Sequence, residues 1–254
     1  MIVGIDVGGT NTDIAILEGK KFRTESFRTS EVLQNLSNFI RRNFGDAVAV
    51  GIGLAVWFID GKAVKAPNLP VIPALDLDMP FVVDNDANCF AYFSAKSLNF
   101  RNLLGITIGT GIGGGIIADG RVYRGRGAAG EIGHTFVGGE KRCRCGGKGH
   151  LEAYFSGWSL KNIRKLIETG EIYRMEEFNL FCRSLANAVM ILNPEAVAVG
   201  GRIGARLDER FVEERVNGYL PVEMYVAVKR IRDDYAAAKG AALLALDAIS
   251  QTQP

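Results

Sequence analysis

The chain has 254 residues, and its 30 basic and 28 acidic side chains leave a net charge of +2. That balance gives nucleic acid or an anionic membrane no electrostatic hold. A composition 48% hydrophobic and 23% charged excludes a disordered or fibrous chain and leaves room for two domains. The longest apolar stretch, Ala47 to Ile59, falls well short of the ~20 residues a bilayer needs. The N-terminal Met-Ile-Val-Gly-Ile-Asp has no basic region ahead of its apolar run, so no signal peptide is read and a cytoplasmic location is expected. Glycine is over-represented, at 31 residues, about 12% against a usual ~7%, and it is clustered.

In chain order, residues 2–7 read as a strand, followed by Gly8-Gly9-Thr10, a second strand over 14–17, a Glu18-Gly19 turn and a third strand from Lys20. This is a meander with tight glycine turns. Ser30 is placed to cap an amphipathic helix carrying Val32, Leu33, Leu36, Phe39, Ile40 and Phe44. Ala47–Ile59 reads as one buried strand, Pro67–Pro80 as loop, and Phe81–Val83 as a short strand running into Asp84-Asn85-Asp86. Further on, helical spacing marks Leu160–Ile167 and Phe178–Leu192, the latter stopped by Asn193-Pro194. A strand over 196–199 ends in Gly200-Gly201, and an Ala/Leu-rich helix spans 236–249.

Residues 103–123 lie under residues 2–22 at a constant offset of 101, with Gly4, Ile5, Gly8, Ile16 and Gly19 repeated as Gly105, Ile106, Gly109, Ile117 and Gly120. An internal duplication is therefore expected, giving two lobes of α/β type.

Glycine turns let backbone N–H groups approach an anion. Two such turns, at Gly8-Gly9-Thr10-Asn11 and Thr107–Gly115, suggest a nucleoside triphosphate gripped across a cleft. Either turn alone is more often a plain hairpin. Neither has the Lys-Ser/Thr of a Walker loop, and neither opens a helix as a dinucleotide fingerprint does, so hydride chemistry is not expected. Asp6, at the strand end before the first turn, reads as a turn-former or as an outer-shell partner for Mg²⁺. Asp86 reads as a helix N-cap or as a functional carboxylate.

Of the four cysteines, Cys89 and Cys182 sit in apolar surroundings and read as plain buried thiols. Cys143 and Cys145 stand close to both of the chain's histidines, His134 and His150. Those four side chains make the Cys₂His₂ complement of a closed structural zinc site. A redox role is the weaker reading of this Cys-x-Cys pair.

Taken together, Asp6-x-Gly-Gly-Thr10, Asn85-Asp86-Ala-Asn88, the Thr107–Gly115 turn, Gly130-Glu131-Ile-Gly-His134 and Cys143-x-Cys145-Gly-Gly-x-Gly-x-Leu-Glu152 resemble the ROK family of sugar kinases. The likeness runs over nearly the whole length. It implies the actin-like ATPase (ribonuclease H-like) fold, an α/β architecture of two duplicated lobes with a cleft between them. The lobes are expected at 1–103, with the closing helix 236–254 packing back, and at 104–235 with the zinc loop. The resemblance implies transfer of the γ-phosphoryl group of ATP to the 6-hydroxyl of a hexose, glucose first. N-acetylmannosamine, N-acetylglucosamine or fructose are the alternatives.

By the same resemblance Asp86 is the general base. Asn85, Glu131, His134 and Glu152 bind the sugar, and His134 also ligates zinc. Gly8, Gly9, Thr10, Asn11, Thr110, Gly111, Gly200 and Gly201 line the nucleotide, and Asp6 serves Mg²⁺. The small residues of the closing helix are read as structural. His150 stands where the family has a third cysteine, and Ser94 where an acidic residue is common. The chain is also shorter than family members usually are, between Ile59 and Pro80 and near its C-terminal end. The family's sugar-responsive repressors carry a helix-turn-helix domain ahead of the first turn, for which Asp6 leaves no room. A small-molecule sugar is thus the expected partner, with no nucleic acid or membrane, and a homodimer or higher homo-oligomer by resemblance.

Overall fold

The computed structural model describes residues 1–251; residues 252–254 of the expected closing helix lie outside them. The chain divides into two units, one comprising Met1–Ser97, Arg124–Ala128 and the segment from Tyr235 onward, the other Leu98–Tyr123 and Ala129–Asp234.

The first unit opens with β1 (Ile2–Val7), β2 (Asn11–Glu18) and β3 (Lys21–Arg28). Then come α1 (Thr29–Val32), α2 (Leu36–Phe44), β4 (Ala49–Leu54), β5 (Trp57–Ile59), β6 (Lys62–Lys65), β7 (Phe81–Asn85) and α3 (Asp86–Leu98). Its main sheet runs β3-β2-β1-β4-β7. β1 pairs antiparallel with β2 and parallel with β4, which in turn pairs parallel with β7. β4 is buried along its whole length, as a parallel strand covered on both faces must be.

Two expectations are corrected here. The helix read from Ser30 is broken by a 3-10 turn at Leu33–Asn35, and Ser30 lies inside α1 rather than capping it. The segment's start is set instead by Thr29, whose N–H donates to Thr10 O at 3.0 Å and whose hydroxyl donates to Gly8 O at 2.7 Å. The single strand read over Ala47–Ile59 is two strands. β4 loses its β7 partner after Leu54, Val56 N–H turns back onto Leu54 O, and β5 leaves to pair with β6.

The second unit contains β8 (Leu103–Ile108), β9 (Ile112–Ala118), β10 (Arg121–Tyr123), α4 (Ile163–Glu168), α5 (Glu176–Leu192), β11 (Ala196–Gly200), α6 (Gly201–Gly204), α7 (Glu209–Asn217) and β12 (Ala227–Arg230). Its sheet order, β10-β9-β8-β11-β12, repeats that of the first unit. α5 ends at Asn193, which takes the left-handed conformation (φ 45°) ahead of Pro194. The core gathers Phe155, Phe178, Phe181 and Leu185 over Ile106, Val197 and Val199.

The repeat is real in topology, but its register is not gap-free. Val7 pairs with Thr12, whereas Ile108 pairs with Ile112. The second glycine turn is therefore one residue shorter, closed by Gly109 N–H to Gly111 O where the first closes by Gly8 N–H to Asn11 O. Beyond the turn the structural offset is 100, so Asp119 (φ 50°), not Gly120, occupies the place of Gly19 (φ 60°).

The last helix, α8 (Ala236–Ser250), belongs to the first unit. It is seated at backbone distance. A Cβ on Gly51 of β4 would stand 1.8 Å from Ala241 O, and one on Gly240 of α8 would stand 1.8 Å from Cys89 O of α3. Only glycine permits either approach.

Candidate functional site

In the first unit the carboxyl ends of β1, β4 and β7 lie side by side. Asp6 is in register with Gly53, and Gly53 with Asp84. A Cβ on Gly53 would stand 3.5 Å from Asp86 Cα and 3.7 Å from Asp6 Oδ1, so both acids border one point of β4. Strand ends of this kind are where α/β sheets bind ligands. Asn85 is the last residue of β7 and Asp86 the first of α3. The Asn85 amide donates to Val56 O at 3.1 Å, and its carbonyl accepts from Ala87 N–H at 2.8 Å. Ala87 N–H also reaches Asp86 Oδ1 at 2.9 Å, but the cap of α3 is Asn85, which precedes the helix and accepts from its second N–H; Asp86 is the first helical residue and not the N-cap that its sequence context suggested. Burial pushes the Asp86 carboxyl above the usual carboxylate range, although backbone N–H groups pull the other way.

Asp84 is 6% exposed and organises this corner. Its Oδ1 accepts from Asn85 N–H and from Asn88 Nδ2, both at 2.8 Å. Its Oδ2 accepts from Arg124 Nε at 2.8 Å and Nη2 at 2.5 Å. The sequence reading missed this ion pair, in which two guanidinium N–H groups share one carboxylate oxygen, since forty positions separate the partners and no motif joins them. Ser94, where an acid is common in the family it resembles, is fully buried and its hydroxyl donates to Phe90 O at 2.8 Å.

The first glycine turn, Gly8–Asn11, is joined to α1 through Thr29, and Gly9 is overlain by Asn68, whose carbonyl would stand 2.6 Å from a Cβ there. In the second unit, Gly201 (φ 79°) follows β11, and a Cβ on it would stand 2.8 Å from Ile108 O. The Gly200-Gly201 corner thus abuts the strand that enters the Gly109–Gly111 turn. That turn is also tied to residues 157–158, because Gly157 N–H donates to Gly109 O at 3.0 Å and Trp158 N–H to Thr110 O at 3.1 Å.

Glu131 precedes a 3-10 turn over Ile132–His134, and Glu152 lies in another over Leu151–Ala153. Glu152 is 2% exposed. Its Oε2 accepts from Ile112 N–H at 2.9 Å and its Oε1 from Trp158 Nε1 at 3.2 Å. Two donors on a buried carboxylate offset much of its desolvation.

His134, Cys143, Cys145 and His150 converge, with their ligand atoms all within 4.8 Å of one another. Cys143 Sγ lies 3.6 Å from His134 Nδ1, and Cys145 Sγ 3.2 Å from His150 Nδ1. A tetrahedral zinc ion with usual Zn–S and Zn–N bonds needs ligand separations of about 3.3–3.8 Å; the Cys143–His134 pair meets this, the Cys145–His150 pair is slightly closer, and a contraction of the widest separations by about 1 Å would close two sulfurs and two imidazoles, a donor set that suits zinc, around the ion. Burial first, with Cys145 and Glu152 adding to it, pushes the Cys143 thiol up to about 11. A metal taken up here displaces that proton. Cys89 and Cys182 are buried thiols held high by burial. Among the described residues no helix is long and apolar enough to cross a membrane.

The profile of the ROK family matches residues 2–248. A protein of Photobacterium profundum named N-acetyl-D-glucosamine kinase is 30% identical over 300 residues, covering 96% of this chain and 99% of its own. A ROK hexokinase from Thermus thermophilus has a crystal structure similar to this one with a TM-score of 0.79 at 25% identity, over 98% of this chain and 99% of that one. A ROK family glucokinase from Streptomyces griseus, in complex with glucose and AMPPNP, gives 0.77 at 25% identity over 97% and 99%.

Proposed function

The chain belongs to the ROK family, and from that premise we propose that it is an ATP-dependent sugar kinase acting on the 6-hydroxyl of a hexose. The observation that carries the reading is the place of Asp86, a half-buried carboxylate at the first residue of α3, beside Asn85 and bordering the same point of β4 as Asp6. Burial raises its proton affinity, which suits it to accept the sugar hydroxyl proton as that oxygen attacks the γ-phosphorus. Such a positioned base contributes ~10²–10⁴-fold.

In this reading Asn85, Glu131, His134 and Glu152 bind the sugar hydroxyls, which come in neighbouring pairs that carboxylates accept well. The backbone of Gly8, Gly9, Thr10 and Asn11 receives the phosphates, as does that of Thr110 and Gly111. Gly200 and Gly201 border the adenosine. Asp6 orients the Mg²⁺ that neutralises phosphate charge. His134, Cys143, Cys145 and His150 hold a zinc ion, which crosslinks a glycine-rich segment unable to build a core of its own.

Glucose is the first substrate of this reading. The acetamido sugar is the second, favoured by the name of the relative from Photobacterium profundum. The test is ATP- and Mg²⁺-dependent phosphorylation of glucose, mannose, fructose, glucosamine, N-acetylglucosamine and N-acetylmannosamine, with Asp86→Ala in parallel. Turnover of one sugar, lost in the variant, is expected. A folded, zinc-loaded protein that phosphorylates none of them refutes the reading.

A further inference from the structure

Trp158 belongs to none of the motifs that carry the resemblance, yet it touches three parts of the second unit at once. Its indole Nε1–H donates to Glu152 Oε1 at 3.2 Å. Its backbone N–H donates to Thr110 O at 3.1 Å, beside the Gly157 N–H to Gly109 O bond. Over its ring, 4.9 Å from the centroid, lies the guanidinium of Arg144, the residue between Cys143 and Cys145. Tryptophan is the best aromatic ring for such a cation–π contact.

The remaining link is Glu152, whose other oxygen accepts Ile112 N–H, the first amide after the Gly109–Gly111 turn. Cys143 Sγ also approaches Glu152 Oε1, at 4.0 Å.

We infer that Trp158 is a positioning residue that couples the Cys/His loop to the Gly109–Gly111 turn, so that metal occupancy at the loop sets the order of the turn. Arg144 carries the state of the loop to the ring. The indole N–H and the Trp158 backbone N–H carry it to Glu152 and to the turn. A hydrogen bond to a charged group corresponds to roughly a ten- to hundredfold bias in an equilibrium, enough to shift how often the turn opens. The coupling rests on the proposed function only where the turn is taken to receive a nucleotide.

The test is amide hydrogen exchange at residues 109–112, read with zinc bound and after chelation, with metal content measured for each sample. In the natural protein chelation is expected to speed exchange at Ile112 by about tenfold. Trp158→Phe keeps a ring under Arg144 and the backbone N–H but loses the indole donor. Its Ile112 exchange is expected to be fast with zinc bound, and to rise less than about twofold on chelation. Arg144→Met leaves the indole and all four ligands in place and is expected to blunt the response likewise, which keeps the test available if the tryptophan variant does not fold. An equal chelation response in the natural protein and the variants, or none in the natural protein, overturns the coupling.

Kinetics add a split that a general loss of stability would not produce. In zinc-loaded Trp158→Phe the nucleotide KM is expected to rise about five- to tenfold while kcat stays within about twofold. The two readings fail separately. A natural protein whose turn responds to chelation but which phosphorylates no sugar refutes the kinase reading and leaves the coupling intact.

Discussion

Gly240→Ala sets two effects of opposite sign against each other. Alanine is the better helix residue by about 1 kcal/mol, so propensity alone makes the variant more stable. The added Cβ, however, would stand 1.8 Å from Cys89 O and 2.6 Å from the Cys89 carbonyl carbon. Ordinary contact needs about 1.5 Å more. Neither atom is the end of a flexible side chain, so α8 and α3 must move apart as bodies.

Overpacking of this kind costs about 1–3 kcal/mol, and more where backbone is the obstacle. The net expectation is a loss of about 2 kcal/mol, or roughly 4–8 °C in Tm for a chain of this size. The displaced element is α3, whose first residue is Asp86. A shift near 1 Å there is expected to lower kcat by about tenfold or more. Thermal unfolding followed by circular dichroism gives the first number, and turnover on the preferred sugar gives the second. As a control, Ala237→Gly on the same helix should lose only about 1 kcal/mol, from propensity. A Gly240→Ala protein with unchanged or raised Tm and normal kcat would refute the close seating of α8 on α3.

Three further outcomes follow from the same geometry. Asp86→Asn removes a carboxyl whose proton affinity is raised by burial. A raised carboxyl favours the fold while protonated and costs stability once pH rises through its folded value, so the variant should melt higher than the natural protein at pH 7, show a smaller difference at pH 4, and lose turnover. A lower melting point at pH 7 would contradict the assignment. Arg124→Met leaves Asp84 buried without its guanidinium partner and should cost about 2 kcal/mol in thermal unfolding. Asp84→Asn in that background should recover part of the loss, and strict additivity of the two would show that they do not interact. Cys145→Ser should cut zinc content by at least about tenfold and lower Tm; full zinc stoichiometry in the variant would show that Cys145 is not a ligand.

Much of this protein is settled by local sequence. The apolar runs at 2–7 and 103–108, each ending in a glycine turn, specify β1 and β8 because a central strand buried on both faces tolerates few polar residues. Asn193-Pro194 ends α5 by backbone chemistry alone. The four metal-binding candidates are legible because histidine is so scarce in the chain that its two copies beside a Cys-x-Cys pair stand out. The actin-like ATPase fold is what the resemblance to the ROK family implies, while the α/β class and the duplication are read from the repeated strand and glycine-turn units themselves.

Other features depend on contacts between residues far apart in the chain. The one-residue difference between the two glycine turns is invisible in an alignment of 2–22 with 103–123, because the best identities fall at a constant offset while the hydrogen bonds do not. Ser30 has the chemistry of a cap, yet Thr29 takes the start of α1 because the Gly8–Asn11 turn offers it two acceptors. The Asp84–Arg124 pair joins residues forty positions apart, and Trp158 reaches Glu152, Thr110 and Arg144 only once the second unit has folded. Sequence alone determines which segments are buried and which side chains have the chemistry for phosphate and metal, since both depend on residue type and near neighbours. Which donor meets which acceptor depends on where the sheet, α8 and the Cys/His loop come to rest, and only the tertiary structure decides that.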